Sequence, residues 1–355
     1  MKKKPIILGI ETSCDETAVS IIQNNGKKPP NILSNIVSSQ HNIHRKYGGV
    51  FPELAARSHL DKIDLITKAA LNKSKIKLSQ IDAIAATAGP GLIVCLSVGV
   101  NFAKALAIAL NKPFIAINHL EGHALSPKLE TNLNYPYLLL LISGGHTQYL
   151  TVKGLNNYKR LGTTIDDALG ETFDKTAKLL GLKFPGGPKI EQYAKRGDPY
   201  RFNFPKPILN KGGCNMSFAG LKTAILRSKN LVKTEKDVYD LAASFQKTIL
   251  EILKKKTEVA IQEFKKKNKA NQFIVAGGVA ANKQVRKTLK DVCLKHNFKI
   301  IFPKEKFCTD NAAMIAVAGL EKFKKRKFNK LNFRVMPRWA LDINAKFLKG
   351  PGVIL

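Results

Sequence analysis

Ile6-Ile7-Leu8-Gly9-Ile10 runs into the polar stretch Glu11-Thr12-Ser13-Cys14-Asp15-Glu16 and out again through Ala18-Val19-Ser20-Ile21-Ile22. An apolar run, a short polar turn and a second run rich in β-branched residues spell two strands joined as a hairpin. The same spelling returns at Leu138-Leu139-Leu140-Leu141-Ile142, Ser143-Gly144-Gly145-His146-Thr147 and Tyr149-Leu150-Thr151-Val152. The two copies also close alike. In the first, 81–86 reads as a strand, Gly89-Pro90-Gly91 as a turn, 92–110 as a helix and 114–117 as a strand. In the second, 273–276, Gly277-Gly278, 282–296 and 300–302 take the same parts.

A repeat at this level predicts a duplicated α/β fold of two similar lobes. The first spans 1–123 and the second 124–310, with the helix and tail at about 311–355 packing back on the first. An irregular insertion, 183–215, interrupts the second lobe around Phe184-Pro185-Gly186-Gly187-Pro188, Arg196-Gly197-Asp198-Pro199 and Lys211-Gly212-Gly213. Segments of that length are functional lids when ordered. The turns of both lobes should point into the crevice between them, where α/β sheets take ligands. The stripe Val238, Leu241, Phe245, Ile249 and Ile252 marks a core-facing helix over 237–267.

At 355 residues the chain can bury a large core. No apolar run reaches the roughly 18 residues of a membrane span. Met1-Lys2-Lys3-Lys4 leads into a strand rather than a signal-peptide core, which predicts a cytoplasmic protein. The five cysteines stand singly, as free thiols do in a reducing compartment. The net charge of +33 suits a polyanion such as nucleic acid, although an excess made mostly of Lys also fits a biased genome. Lysine runs such as Lys254-Lys255-Lys256 read as solvated helix faces.

His119-Leu120-Glu121-Gly122-His123 places two imidazoles four residues apart, one helical turn, where they can share a metal ion. A metalloprotease needs its Glu next to one of the histidines, and Glu121 stands midway. His119 follows the closing strand of the first half, and Asp310 lies a few residues beyond the closing strand of the second. The pseudo-symmetry therefore brings Asp310 towards the histidines, although with Thr309 it could equally cap the helix that follows. Two His and one carboxylate leave coordination positions open, as catalysis requires. The Ser143-Gly144-Gly145 and Gly277-Gly278 turns, the latter just ahead of a helix, suit a nucleotide phosphate. Asp166, Asp167, Glu171 and Asp174 crowd a helix start, where they complement its dipole, and Asp174 and Glu191 also suit ribose hydroxyls. The second hairpin turn has no acid to handle magnesium and water, which disfavours ordinary ATP hydrolysis.

Glu11-Thr12-Ser13-Cys14-Asp15-Glu16-Thr17, Asn118-His119-Leu120-Glu121-Gly122-His123, Ser143-Gly144-Gly145-His146-Thr147, Phe184-Pro185-Gly186-Gly187-Pro188, Val275-Ala276-Gly277-Gly278-Val279 and Cys308-Thr309-Asp310-Asn311-Ala312-Ala313 together resemble the TsaD family, in order along nearly the whole chain. The departures are Tyr149, Ala219 and Phe307, none at an implied ligand. The resemblance implies the actin-like, sugar-kinase and heat-shock-ATPase fold, and a family once labelled glycoproteases. It further implies transfer of threonylcarbamoyl from threonylcarbamoyl-AMP to N6 of the adenosine at position 37 of tRNAs reading ANN codons, with release of AMP.

Carried over by motif, His119, His123 and Asp310 would hold one divalent metal per subunit, iron first and zinc second. Leu141, Ile142, Ser143, Gly144, Gly145, Asp174, Gly187, Glu191 and Asn282 would bind the adenylate. The general base is sought in the first hairpin turn, at Asp15 or Glu11. The implied partners are tRNA, a TsaB-like paralogue, a TsaE-like ATPase and a TsaC-like synthase, with no membrane. Two other readings stand beside this one: a non-catalytic nucleotide- and metal-binding scaffold in an RNA-associated complex, and a metalloprotease.

Overall fold

Strand β1 (Ile6–Glu11) is buried at every position, and its two faces meet different partners. Ile6, Leu8 and Ile10 share a core with Ile63 and Ile66 of α2 (Pro52–Ser74) and with Val100 and Ala103 of α3 (Ile93–Ala109). The other face meets α10 (Ala312–Lys324), which lies so close that a Cβ on Gly9 would stand 2.6 Å from the Ala312 carbonyl oxygen. Only glycine fits there. Because strand side chains alternate, Glu11 falls on the same face as Gly9, at the end of the strand where α10 begins.

The structure, a computed structural model, describes residues 4–346 apart from Gly48. The N-terminal Met1-Lys2-Lys3 and positions 347–355 of the expected tail lie outside the described residues. Two compact units are formed by the described residues, one from 4–134 with Lys306–Ile343, the other from Tyr135–Glu305 with 344–346.

In the first unit five strands lie in the order β3-β2-β1-β4-β5. Beside β1, β2 (Glu16–Asn25) and β3 (Lys28–Ser39) run antiparallel in turn, and β4 (Ala83–Gly89) and β5 (Phe114–Asn118) run parallel. Two short helices complete it, α1 (His41–His44) and α4 (His119–Leu125). Strand β5 is an edge, and the chain beyond α10 covers it: Asn329 donates its amide to the Phe114 carbonyl and accepts the Ala116 amide on its side chain, each at 2.9 Å. Edge groups that would otherwise invite a foreign strand are thus used up.

The second unit repeats the plan. Strands β6 (Tyr137–Ile142), β7 (Thr147–Gly154), β8 (Asn157–Thr163), β9 (Gln272–Ala276) and β10 (Lys299–Ile301) lie in the order β10-β9-β6-β7-β8, with the same antiparallel and parallel neighbours as their counterparts. Its helices are α5 (Leu169–Leu179), α6 (Gly186–Ala194), α7 (Ala219–Ser228), α8 (Glu235–Lys265) and α9 (Lys283–Lys295). The stripe on α8 is core, with Leu241, Phe245, Ile249 and Ile252 fully buried.

The structure departs from the sequence expectations in several places. The third strand of each sheet, β3 and β8, lies at an edge and carries no apolar alternation to announce it. The stretch 183–215 is not wholly irregular: it contains α6, whose Ile190 is buried and whose Pro188 sits in the first turn, where the missing N–H does no harm. Lys256 is no solvated lysine, since it is buried and donates to the carbonyls of Lys211 and Gly213 at 3.0 and 3.2 Å. The units divide at 134/135 and 305/306 rather than at 123/124 and 310/311. Phe307 and Cys308 are buried just ahead of α10, and Asp310 goes with the unit that holds β1 and α4.

Candidate active site

Asn118 ends β5 and caps α4, its side-chain oxygen accepting the amides of Leu120 at 2.9 Å and Glu121 at 3.4 Å. The helix therefore starts one residue after the strand, and His119 and His123 fall on one side of it. Their rings meet edge to face, with centroids 4.8 Å apart. Asp310 Oδ1 lies 3.4 Å from His119 Nε2 and 3.0 Å from His123 Nε2. The capping role open to Asp310 is taken by Asn311, whose side chain accepts the Met314 amide at 3.2 Å.

Glu11 stands behind His119. Its Oε2 lies 3.0 Å from His119 Nδ1 and accepts Thr87 Oγ at 2.6 Å, while Oε1 accepts the Ser13 amide at 2.5 Å. A carboxylate on Nδ1 leaves Nε2 to face Asp310, the arrangement that orients a metal-binding histidine. Burial works against charge on all three groups, but the His119 charge outweighs it and holds the Glu11 and Asp310 carboxyls below their ordinary ranges. Conversely, burial would depress His119, yet Asp310 and Glu11 raise it well above an ordinary imidazole. Two imidazole nitrogens and one carboxylate oxygen, within 4.8 Å of one another, form a donor set that fits zinc or ferrous iron and leaves positions for substrate.

Of the two candidate bases, Glu11 is 1% exposed and has both oxygens engaged, by Ser13 on one side and by Thr87 and His119 on the other. Asp15 keeps its carboxylate nearer the surface, 3.6 Å from His41 Nε2. Glu16 lies 3.3 Å from the same nitrogen, and burial lifts its carboxyl to about 8, with Asp15 adding to the rise against the His41 hydrogen bond. Sequence reasoning missed His41 and also His59, which binds the Cys14 carbonyl at 3.0 Å and Thr17 Oγ at 2.7 Å. Neither belongs to any spacing pattern; only the packing of α1 and α2 beside the hairpin turn reveals them.

In the second unit Leu141 and Ile142 are wholly buried in β6, so only their backbone is available to a ligand. The turn after them is held by the Ser143 amide on the His146 carbonyl at 2.8 Å and by the Gly170 amide on the Ser143 carbonyl at 3.1 Å. A Cβ on Gly144, Gly145 or Gly187 would meet nothing within 4 Å, so the Cβ side of each is open. Gly277 differs: its φ is +99° and a Cβ would stand 2.4 Å from the Ile142 carbonyl oxygen. Asp174 accepts the Gly186 amide at 2.7 Å, and Glu191 the Lys283 amide at 2.9 Å. Asn282 caps α9 through its oxygen and donates to Gln246 at 3.1 Å, so its side chain is committed to the scaffold. The structure thus joins Ser143 to the Gly277 turn, Asp174 to the 186–187 turn and Glu191 to the start of α9.

The profile of one family, described as TsaD, tRNA N6-adenosine threonylcarbamoyltransferase, matches residues 31–317. The chain belongs to this family. A relative from Pelagibacter ubique (strain HTCC1062), named tRNA N6-adenosine threonylcarbamoyltransferase, is 67% identical with both chains fully covered. One of the same name from Rickettsia conorii is 54% identical, covering 95% of this chain and 98% of its own. Among solved structures, HypF of T. kodakarensis superposes with a TM-score of 0.59 at 15% identity, covering 90% of this chain and 48% of its own. Component A of the (R)-2-hydroxyglutaryl-CoA dehydratase of Acidaminococcus fermentans gives 0.51 at 14%, covering 89% and 99%. These structural likenesses show the fold alone, the duplicated actin-like ATPase fold. As a TsaD family member the chain is a transferase, and all the sequence motifs that carried the resemblance lie in the strands, turns and helix starts described above.

Proposed function

We infer that this protein transfers the threonylcarbamoyl group of threonylcarbamoyl-AMP to N6 of adenosine 37 in tRNAs reading ANN codons. The family carries the reaction, and one observation carries its assignment to residues: Asp310 lies against both His119 and His123, with Glu11 behind His119. In the reaction the N6 amine attacks the carbamoyl carbon, the bond from that carbon to the phosphate oxygen breaks, AMP departs and the amine gives up a proton. An exocyclic amine is a poor nucleophile, so the protein's work is positioning and carbonyl activation.

A divalent ion held by His119, His123 and Asp310, iron first and zinc second, would polarise the carbamoyl or threonine carboxylate oxygens. The turn at Gly144 and Gly145, where no Cβ would block a close approach, would receive the adenylate phosphate, with Gly187, Asp174 and Glu191 beside the nucleoside. Asp15 is the group left to take the amine proton. The charge of +33 would serve tRNA, and the TsaB-like, TsaE-like and TsaC-like proteins remain the partners the family suggests. No helix among the described residues is long and apolar enough to cross a membrane. The cytoplasm is where a tRNA-modifying transferase would meet its substrate.

Nothing favours the protease reading. Glu121, the carboxylate inside the histidine motif, is buried against Lys322 at 3.0 Å, on the side of the helix away from both histidines. A non-catalytic scaffold would be free to lose a ligand, whereas His119, His123 and Asp310 are all present. The test is AMP release and threonylcarbamoyladenosine in digested tRNA, from purified protein given synthetic adenylate and tRNA with the partner proteins. Unmodified tRNA under conditions where a characterised relative works would overturn the reading.

A further inference from the structure

Glu121 stands in the middle of the histidine motif, yet it is 1% exposed and takes no part in the ligand set. Two residues along a helix is about 200° of rotation, so Glu121 leaves α4 on the side opposite to both His119 and His123. There it meets Lys322 Nζ at 3.0 Å. Lys322 is itself buried, donates to the Ala116 carbonyl of β5 at 3.0 Å and lies 5.8 Å from the centre of the Trp339 ring. A single ammonium thus joins three things: the strand that leads into α4, the back of α4, and the last turn of α10.

The other end of α10 begins just after Asp310. Ten residues of helix separate Ala312 from Lys322, about 15 Å. Helix α4, only seven residues long, packs on α10 through Gly122, against Met314 and Ile315, and is tied by polar contacts on either side of that packing: through its histidines to Asp310 and through Glu121 to Lys322. Apolar packing at a glycine is not directional, whereas an ion pair on the face opposite the histidines specifies the rotation of the helix. A buried ion pair is a poor way to gain stability, since apolar residues of like volume serve as well or better. It is a good way to impose one geometry.

We propose that Glu121 and Lys322 are positioning residues for the His119, His123 and Asp310 centre, holding the histidine helix at the rotation that brings both imidazoles onto Asp310. The proposal rests on the metal reading above. It predicts that the pair can be removed with little harm to the fold but with a loss at the centre.

The test is titration of chelator-stripped protein with Co2+, following its visible absorption bands and competition with a chelator, alongside thermal unfolding. Wild type must bind Co2+ and His119→Ala must not; failure of that control overturns the metal reading and this proposal with it. If the control holds, the double variant Glu121→Gln/Lys322→Met is expected to unfold at the wild-type temperature or above, to bind Co2+ at least about tenfold more weakly, and to show altered bands. Wild-type affinity and bands in the folded double variant would overturn the proposal. Should the double variant not fold, hydrogen exchange on the wild type decides. Co2+ is expected to slow exchange in α4 and in the last turn of α10 around Lys322, whereas slowing confined to the Asp310 end would overturn it.

Discussion

Glu11 Oε2 sits 3.0 Å from Nδ1 of His119, a carboxylate placed behind the first histidine of the pair rather than in front of it. That contact settles which nitrogen of His119 faces Asp310. Partners of this kind typically contribute 10- to 100-fold to metal affinity, roughly 1.4–2.8 kcal/mol. Glu11→Gln keeps the shape and removes the charge. It is expected to weaken metal binding by about that factor and to lower transfer in proportion, both restored in part by excess metal. Chelator-competition titration checks this; unchanged affinity would mean that Glu11 acts elsewhere.

Metal loading should depend steeply on pH. His119 is raised well above the ordinary imidazole value, burial notwithstanding, by Asp310 and Glu11. The ion must displace its proton, so apparent affinity is expected to increase as pH rises through and beyond 6.5. The stripped protein should behave in the opposite sense. A raised His contributes stability that is full below its unfolded value and fades as pH rises through its folded one. The depressed Asp310 contributes above its own unfolded value and loses that contribution in acid. Melting curves of stripped protein should therefore peak in mildly acidic buffer, with the optimum moving upward on loading. Identical pH profiles for the two forms would contradict the assignment.

Gly9→Ala tests how α10 reaches the site. The added Cβ would meet backbone atoms, Ala312 O at 2.6 Å and Ala316 N at 2.7 Å, which cannot rotate away. The first turns of α10 must shift, and Asp310 with them. Overpacking of this kind costs about 1–3 kcal/mol. A lowered melting temperature together with weaker metal binding is expected; a lower melting temperature with intact metal affinity would show that Asp310 is held independently of α10.

The glycine turns of the second unit separate ligand effects from folding effects. Gly144→Ala places its Cβ in open space, so stability should stay within about 0.5 kcal/mol while KM for the adenylate rises. Gly277→Ala should instead unfold readily, because φ is +99° and the Ile142 carbonyl blocks the Cβ. Calorimetric titration with AMP distinguishes them. Wild-type AMP affinity in the Gly144 variant would remove that turn from the phosphate site.

Much of the fold was legible because it is written in local periods. The unbroken apolar runs Ile6–Ile10 and Leu138–Ile142, the glycine turns and the two closing helices announce themselves within a few residues, and their recurrence announces the duplication. The edge strands β3 and β8 and helix α6 were not legible, since an edge need not alternate and a short helix shows too few apolar positions to set a period. At the site, the His119 and His123 spacing is local and could be read directly. Asp310 was reached only through the pseudo-symmetry.

By itself, then, the sequence determined the doubled α/β plan and the family, because strand and helix periods and ordered motifs survive without knowledge of what touches what. The tertiary structure alone decided what each acid does: Glu11 behind a histidine 108 residues away, Asp310 against one 187 residues away, and Glu121 turned from them to a buried lysine. A carboxylate carries no sign of its partner in its neighbours along the chain. Its role follows from which charge the fold brings within hydrogen-bonding reach and from how little water remains there to compete.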